Sequence, residues 1–118
     1  MLQFQLRLER THKEWVEKQF SIWDGSHKQF IELVKKQLND EKSFKHKQTS
    51  YIEIADDDTL KLVNDSLKEL KLKNRASKGD LLIYMDFTAK NAFNATIKSS
   101  AIAVAIEKDD SIVLLAIE

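Results

Sequence analysis

The chain has 118 residues, of which 42% are hydrophobic and 32% are charged, and its 19 basic residues balance 19 acidic ones. This length and composition predict one folded domain over residues 1–118. The chain has no cysteine, which excludes disulfides, cysteine zinc sites and thiolate catalysis. Its balanced charge argues against a strongly basic nucleic-acid binder.

The first segment, residues 2–9, alternates apolar and polar residues. Such a period of two favours a strand that is buried on one face. The segment lacks the continuous apolar stretch of a signal peptide, and nothing in the chain approaches the roughly 20 apolar residues that span a bilayer. We therefore expect a cytoplasmic location for the chain as it stands, or an envelope location if an N-terminal anchor has been removed.

A first helix is predicted from a capping box that begins at Thr11. Val16, Phe20 and Trp23 follow at helical spacing, so we expect Trp23 to lie in the core. Trp15 is rotated by about 100° from Val16 and is expected to be exposed. Exposed aromatic side chains are enriched at protein interfaces. We retain both tryptophans as candidate binding residues.

A second helix is predicted from a capping box at Ser26 and Gln29, directly after the Asp24-Gly25 turn. Its inward face consists of Phe30, Ile31, Val34 and Leu38. Asp24 and His27 flank the start of this helix and offer two metal ligands, which do not make a zinc site. The alternative is that these residues build the turn and cap the helix. His27 is a candidate binding residue, and we predict no metal site and no cofactor.

Residues 42–48 contain three lysines and no acidic residue, and we predict that they form a connecting loop. Phe44 and His46 lie between the lysines, and cations interleaved with aromatic rings can hold phosphates and stack bases. Lys45 and Lys47 are therefore candidate nucleic-acid contacts, and a solvated loop is the alternative. Residues 1–48 carry ten basic and seven acidic residues, a mild polarity that does not indicate a duplex binder.

The remainder of the chain predicts one helix and four strands. A short strand covers residues 51–55, and an amphipathic helix covers residues 58–71 after three consecutive aspartates that suit a helix N-terminus. Strands over residues 81–87, 95–107 and 112–117 follow, the last two joined by a turn at 108–111. The predicted class is α+β, with two or three helices packed on one face of a small antiparallel sheet that ends in a three-stranded meander.

Two features of the C-terminal part suggest contact surfaces. The last strand is apolar on both faces, so it is either central in the sheet or an edge that pairs with another chain. Pairing of such edges predicts a homodimer. Lys90 and Asn91 mark a second candidate surface at a turn, where the alternative is a hairpin whose Asn91 and Asn94 satisfy the backbone.

Two groups of motifs resemble those of a small bacterial domain of unassigned function. The first is EKQFSIWDGSH over residues 17–27, followed by Asn39-Asp40 and by Ser43, Phe44 and His46. The second is DFTAKNAFN over residues 86–94 and the two strands after it. The resemblance covers most of residues 17–118 and implies one small domain, and it identifies no catalytic residues. This chain has Glu41 and Asn94 where that pattern has proline and glycine, and the 58–71 helix resembles an insertion.

No catalytic constellation emerges from the sequence. There is no G-x-S-x-G elbow, and with only two glycines the chain has no glycine-rich phosphate loop. We therefore expect a non-enzymatic protein-interaction module, with a protein partner or a second copy as its ligand. The alternatives are a weak nucleic-acid-binding protein that uses the basic 42–48 loop, and a bacterial inhibitor or immunity protein of similar size.

Overall fold

The computed structural model describes residues 11–118. In chain order this part contains α1 (His12–Lys18), α2 (Lys28–Lys35), one 3₁₀ turn (Glu41–Ser43), β1 (Lys45–Glu53), α3 (Asp57–Glu69), β2 (Leu81–Lys90), β3 (Thr96–Ile106) and β4 (Ser111–Ile117). The predicted α+β class is confirmed. The strand predicted over residues 2–9 lies outside the described residues.

The four strands form one antiparallel sheet in the order β1-β2-β3-β4. The predicted C-terminal meander of β2, β3 and β4 is confirmed, and β1 extends it to four strands. The β2–β3 and β3–β4 connections are short turns, whereas the β1–β2 connection contains α3. Within the described chain, β1 and β4 are the two edges of the sheet.

The main core lies between one face of the sheet and helices α1 and α2. The helices contribute Trp15, Val16, Phe30 and Val34, all of which are buried. Alternate residues of β2 and the alanines of β3 complete this core: Leu81, Ile83, Met85, Phe87, Ala101, Ala103 and Ala105. Small side chains on β3 leave room for the large aromatic rings of the helices.

A second core lies on the opposite face and holds α3. Val63 and Leu67 of the helix pack with Leu82, Val104 and Ile106 of the sheet. The predicted packing of helices on one face thus applies to α1 and α2, whereas α3 covers the other face. The physical reason is that β2 and β3 are apolar on both sides only at the end where Leu82 pairs with Val104. Farther along, this same face carries polar residues.

Side-chain caps mark the first residues of α1 and α3. Thr11 Oγ1 accepts a hydrogen bond from the Glu14 backbone at the start of α1, as predicted. At α3, Asp56 accepts from the Thr59 backbone at 2.9 Å, which confirms a capping role for the acidic run.

Two predicted boundaries are wrong. The cap of α2 is His27 rather than Ser26. The basic 42–48 segment is not a loop, because β1 begins at Lys45, with a bulge between His46 and Gln48. As an edge strand that is exposed over most of its length, β1 needs no apolar alternation, and its first half therefore carries no strand signal.

Candidate functional site

Residues 19–27, which join α1 to α2, form a compact loop held by its own hydrogen bonds. The Ser21 backbone donates to the Ser26 carbonyl at 2.8 Å, and the Gly25 backbone donates to the Ser21 carbonyl at 2.9 Å. Asp24 Oδ1 accepts from both the Ser26 backbone at 3.0 Å and the Ser26 hydroxyl at 2.6 Å. The Trp23 backbone donates to Ser21 Oγ at 3.1 Å. These bonds fix the loop backbone in one conformation.

Asp24 and Gly25 each have a distinctive role in this loop. The Ser26 hydroxyl and then the Ser26 backbone N–H hold the pKa of Asp24 below its ordinary value. Gly25 has φ +71°, a left-handed conformation that disfavours a side chain even though the space around it is open.

The loop displays two large apolar side chains. Ile22 is 91% exposed and its neighbour Trp23 is 90% exposed. The hydrogen bonds described above lie within the loop itself, and the core covers neither side chain. Two adjacent side chains of this size in water are unfavourable unless they contact something else.

The positions of the two tryptophans reverse the prediction. Trp15 is fully buried and its indole N–H donates to Asp110 Oδ1 at 3.1 Å, whereas Trp23 is exposed. The prediction assumed that one helix continues from Val16 to Trp23. In the structure α1 ends at Lys18, and the residues after it form a loop. Helical spacing therefore has no meaning beyond Lys18.

The base of the loop is fixed to β1. Phe20 stacks on Tyr51 with a centroid separation of 4.6 Å and an interplanar angle of 14°. His46 lies 3.9 Å from the Asp24 carboxylate, and its other ring nitrogen is 2.7 Å from the Thr49 hydroxyl. These contacts hold Phe20 and Asp24 of the loop beside Tyr51 and His46 of β1, although the paired residues are more than 20 positions apart in sequence.

His27 is buried beneath this loop. Its Nδ1 accepts from the Phe30 backbone at 3.2 Å, so in the neutral ring the Nε2–H donates to Gln19 Oε1 at 2.9 Å. Burial lowers the pKa of His27, which favours this neutral form. Both ring nitrogens therefore have protein partners, and the structure places His27 as the cap of α2.

The turn between β2 and β3 agrees with the structural interpretation of its asparagines. Asn91 Oδ1 accepts from the backbones of Phe93 at 2.9 Å and Ala95 at 3.1 Å. Asn94 adopts φ 63°, the left-handed conformation that asparagine tolerates. At the tip of this turn, Phe93 is 91% exposed.

The three candidate lysines lie together, on the side of the sheet that carries α3. Lys45, Lys47 and Lys90 line one open groove of about 460 Å³, together with Lys42. Two basic residues between α3 and β2 have partners within the protein: Lys78 forms an ion pair with Asp57 at 2.9 Å, and Arg75 donates to nearby backbone carbonyls. The structure thus concentrates Lys45, Lys47 and Lys90 in one place and leaves Trp23 in another.

Sequence reasoning missed Ile22 and Phe93 as surface residues. Each is an apolar residue within three positions of a turn-forming Asp-Gly or Asn, and that turn chemistry is the only local sign that its backbone leaves the regular element. Exposure itself depends on where the helix or strand ends, which tertiary packing decides.

Three further findings define what the described chain offers. Within residues 11–118, no group of three histidine, aspartate or glutamate side chains is placed to hold a metal ion. None of the described helices is both long enough and apolar enough to cross a bilayer. Comparison of the chain with protein-family models, with curated proteins and with solved structures finds no match.

Proposed function

We propose that this chain is a non-enzymatic protein-interaction module that binds its partner through Ile22 and Trp23. The observation that carries the proposal is the 91% and 90% exposure of these two adjacent side chains on a loop held by internal hydrogen bonds. Tryptophan is enriched among the residues that dominate binding energy at interfaces. A pre-ordered loop adds to affinity because little conformational entropy is lost when it binds.

The anchoring of the loop supports this assignment. The Phe20–Tyr51 stack and the contact of Asp24 with His46 attach the loop to β1, so the two apolar side chains keep a fixed position relative to the sheet. A partner would therefore meet a preformed apolar projection and needs an apolar pocket to receive it.

The proposal is tested by affinity capture from a lysate of the source organism. We expect the wild-type chain to retain a protein in stoichiometric amount, and the double variant I22S/W23S to lose it by tenfold or more. Leu62→Ser is the matched control, because Leu62 is also a large exposed residue, at 69%, but lies on α3. Equal retention by I22S/W23S and wild type, or no retained protein at all, would contradict the proposal.

We propose a second contact, in which β4 pairs with β4 of another copy. The two sheet edges differ in a specific way: β1 carries Lys45, Lys47 and a bulge, which are devices that protect an edge. The seven residues of β4 contain no charge, proline or glycine. Within the described chain no strand lies on its outer side, and antiparallel pairing with a second copy would extend the sheet without placing like charges opposite each other inside the strand.

Sedimentation equilibrium tests this pairing. We expect a mass of twice the 13.7 kDa chain, and a monomer for Ile117→Lys, because a lysine on an edge strand opposes strand addition. Ile117 is 37% exposed, so this change should leave the core intact. A wild-type monomer at high protein concentration would refute the pairing.

A further inference from the structure

A lysine-lined surface lies on the part of the sheet that α3 does not cover. The strand register places Lys45 opposite Thr88, and Thr88 opposite Lys98, so these three residues form one row across β1, β2 and β3. Lys90 and Thr96 form the next row toward the β2–β3 turn. All of these residues share the face of Leu82 and Val104, which α3 covers only at the opposite end.

Lysines from four separate segments converge there. The groove is lined by four lysines, three hydroxyl residues and one carboxylate: Lys42, Lys45, Lys47, Lys90, Ser43, Thr88, Thr96 and Asp40. A second groove of about 590 Å³ adjoins it, shares Lys47 and Thr88, and adds Lys98. The acidic side chains of that second groove are Asp86, which accepts from the Ser100 hydroxyl at 2.8 Å, and Glu118.

The positive charge of this surface is only partly neutralised by the protein, because the side chains of Asp40, Asp86 and Glu118 line the same two grooves. Among residues 11–118, none of the five lysines forms an ion pair within 4.0 Å. Adjacent strands are about 4.8 Å apart, so the backbones of Lys45 and Lys98 are separated by about 10 Å, which is close to the screening length at 0.1 M salt. The lysines of the two grooves outnumber the side-chain carboxylates, and an anion bound between the lysines would offset this excess of positive charge.

The shape of the surface favours a chain of phosphates. Two adjoining open grooves cross three strands. A site for one small anion would instead be a single enclosed pocket. Exposed aromatic rings flank the lysines: Phe93 at the tip of the β2–β3 turn and Tyr84 on the same face toward α3, which is 38% exposed. Lysines that follow a backbone, with rings on which bases stack, are the elements of single-strand recognition.

We propose that this surface, defined by Lys42, Lys45, Lys47, Lys90 and Lys98, binds single-stranded nucleic acid. The lysines contact successive phosphates, the hydroxyl of the exposed Thr96 donates to a phosphate oxygen, and Phe93 stacks on a base. A duplex is not expected to bind well, because the chain as a whole carries no net charge and its sheet face offers no element that fits a groove. This inference is independent of the contact made by Ile22 and Trp23.

Fluorescence anisotropy with a labelled single-stranded oligonucleotide of about 15 nucleotides tests the proposal. For single strands the logarithm of affinity falls with the logarithm of salt by about 0.7 per phosphate contact, so five lysines predict a slope of about −3.5. The double variant K45Q/K90Q should bind more weakly and reduce that slope by about 1.4. K13Q/K36Q removes the same charge from α1 and from the C-cap of α2, and should match wild type.

Competitors and one more variant identify the ligand. Phe93→Ser should weaken the oligonucleotide and leave inorganic polyphosphate unaffected, because only the oligonucleotide has bases to stack. Four results would overturn the proposal. They are no binding at a low salt concentration of about 50 mM, a loss of affinity in K13Q/K36Q equal to that in K45Q/K90Q, competition by polyglutamate at the same concentration as the oligonucleotide, and an unchanged affinity in Phe93→Ser. The polyglutamate result would assign the surface to an acidic protein.

Discussion

At the scale of single residues, the two tryptophans have opposite environments although they are eight positions apart. Trp15 is fully buried and donates to Asp110, and Trp23 is 90% exposed. Helical spacing assigned them the wrong way round, because it assumes that the helix continues to Trp23. In the structure α1 ends at Lys18, with Gln19 as its C-cap, so helical spacing does not apply to Trp23.

This difference predicts a large contrast in stability. Trp15→Ala should lower the free energy of unfolding by about 3–5 kcal/mol, because it removes a large buried ring. Trp23→Ala should change it by less than about 0.5 kcal/mol, as expected of a surface substitution. Urea unfolding followed by far-ultraviolet circular dichroism measures both. Similar losses in the two variants would mean that Trp23 packs against the fold.

At the scale of elements, the strongly patterned segments were predictable from the sequence. The α3 helix and the β2–β3–β4 meander follow from apolar periodicity and turn residues, and the turn predicted at 108–111 lies one residue earlier, at 107–110. The start of β1 was not, because an exposed edge strand carries no alternation, and the segment therefore resembled a loop. The side of the sheet that α3 occupies also required tertiary information, since Leu82 and Val104 meet only through the strand register.

The candidate surfaces show the same division. Lys45, Lys47 and Lys90 were identified from the sequence as separate candidates, but their common groove depends on pairing between β1 and β2. Lys98 joins them through pairing of β2 with β3. Residues more than 40 positions apart become neighbours only in the folded sheet, so a single sequence gives no sign of that surface.

At the scale of the whole molecule, His12 connects three elements. From the first turn of α1, its Nδ1 lies 2.8 Å from Glu107 after β3, and its Nε2 lies 2.8 Å from Glu53 at the end of β1. Hydrogen bonds to Glu107 and then to Glu53 raise the pKa of His12 above 6.5. The protonated ring is thus a bridge that helps to hold α1 across the sheet.

This bridge predicts a pH dependence of stability. A raised folded-state pKa means that the His12 contribution is fully present below pH 6.5 and is lost as the pH rises through the folded-state pKa. The stability difference between wild type and His12→Gln should therefore be largest below pH 6.5 and shrink as the pH rises above it. Urea unfolding of both proteins at several pH values measures it. His27, whose pKa is lowered by burial, contributes with the opposite sign, so the difference between variants is informative and the wild-type curve alone is not.

We propose that the loop of residues 19–27 presents Ile22 and Trp23 to another protein. The most direct measurement is the amount of protein captured by I22S/W23S relative to the Leu62→Ser control, with both variants folded to the same extent. We expect stoichiometric capture by the control and a loss of tenfold or more in the double variant. Equal capture by the two variants would show that the partner binds elsewhere and that the exposed pair is not the interface.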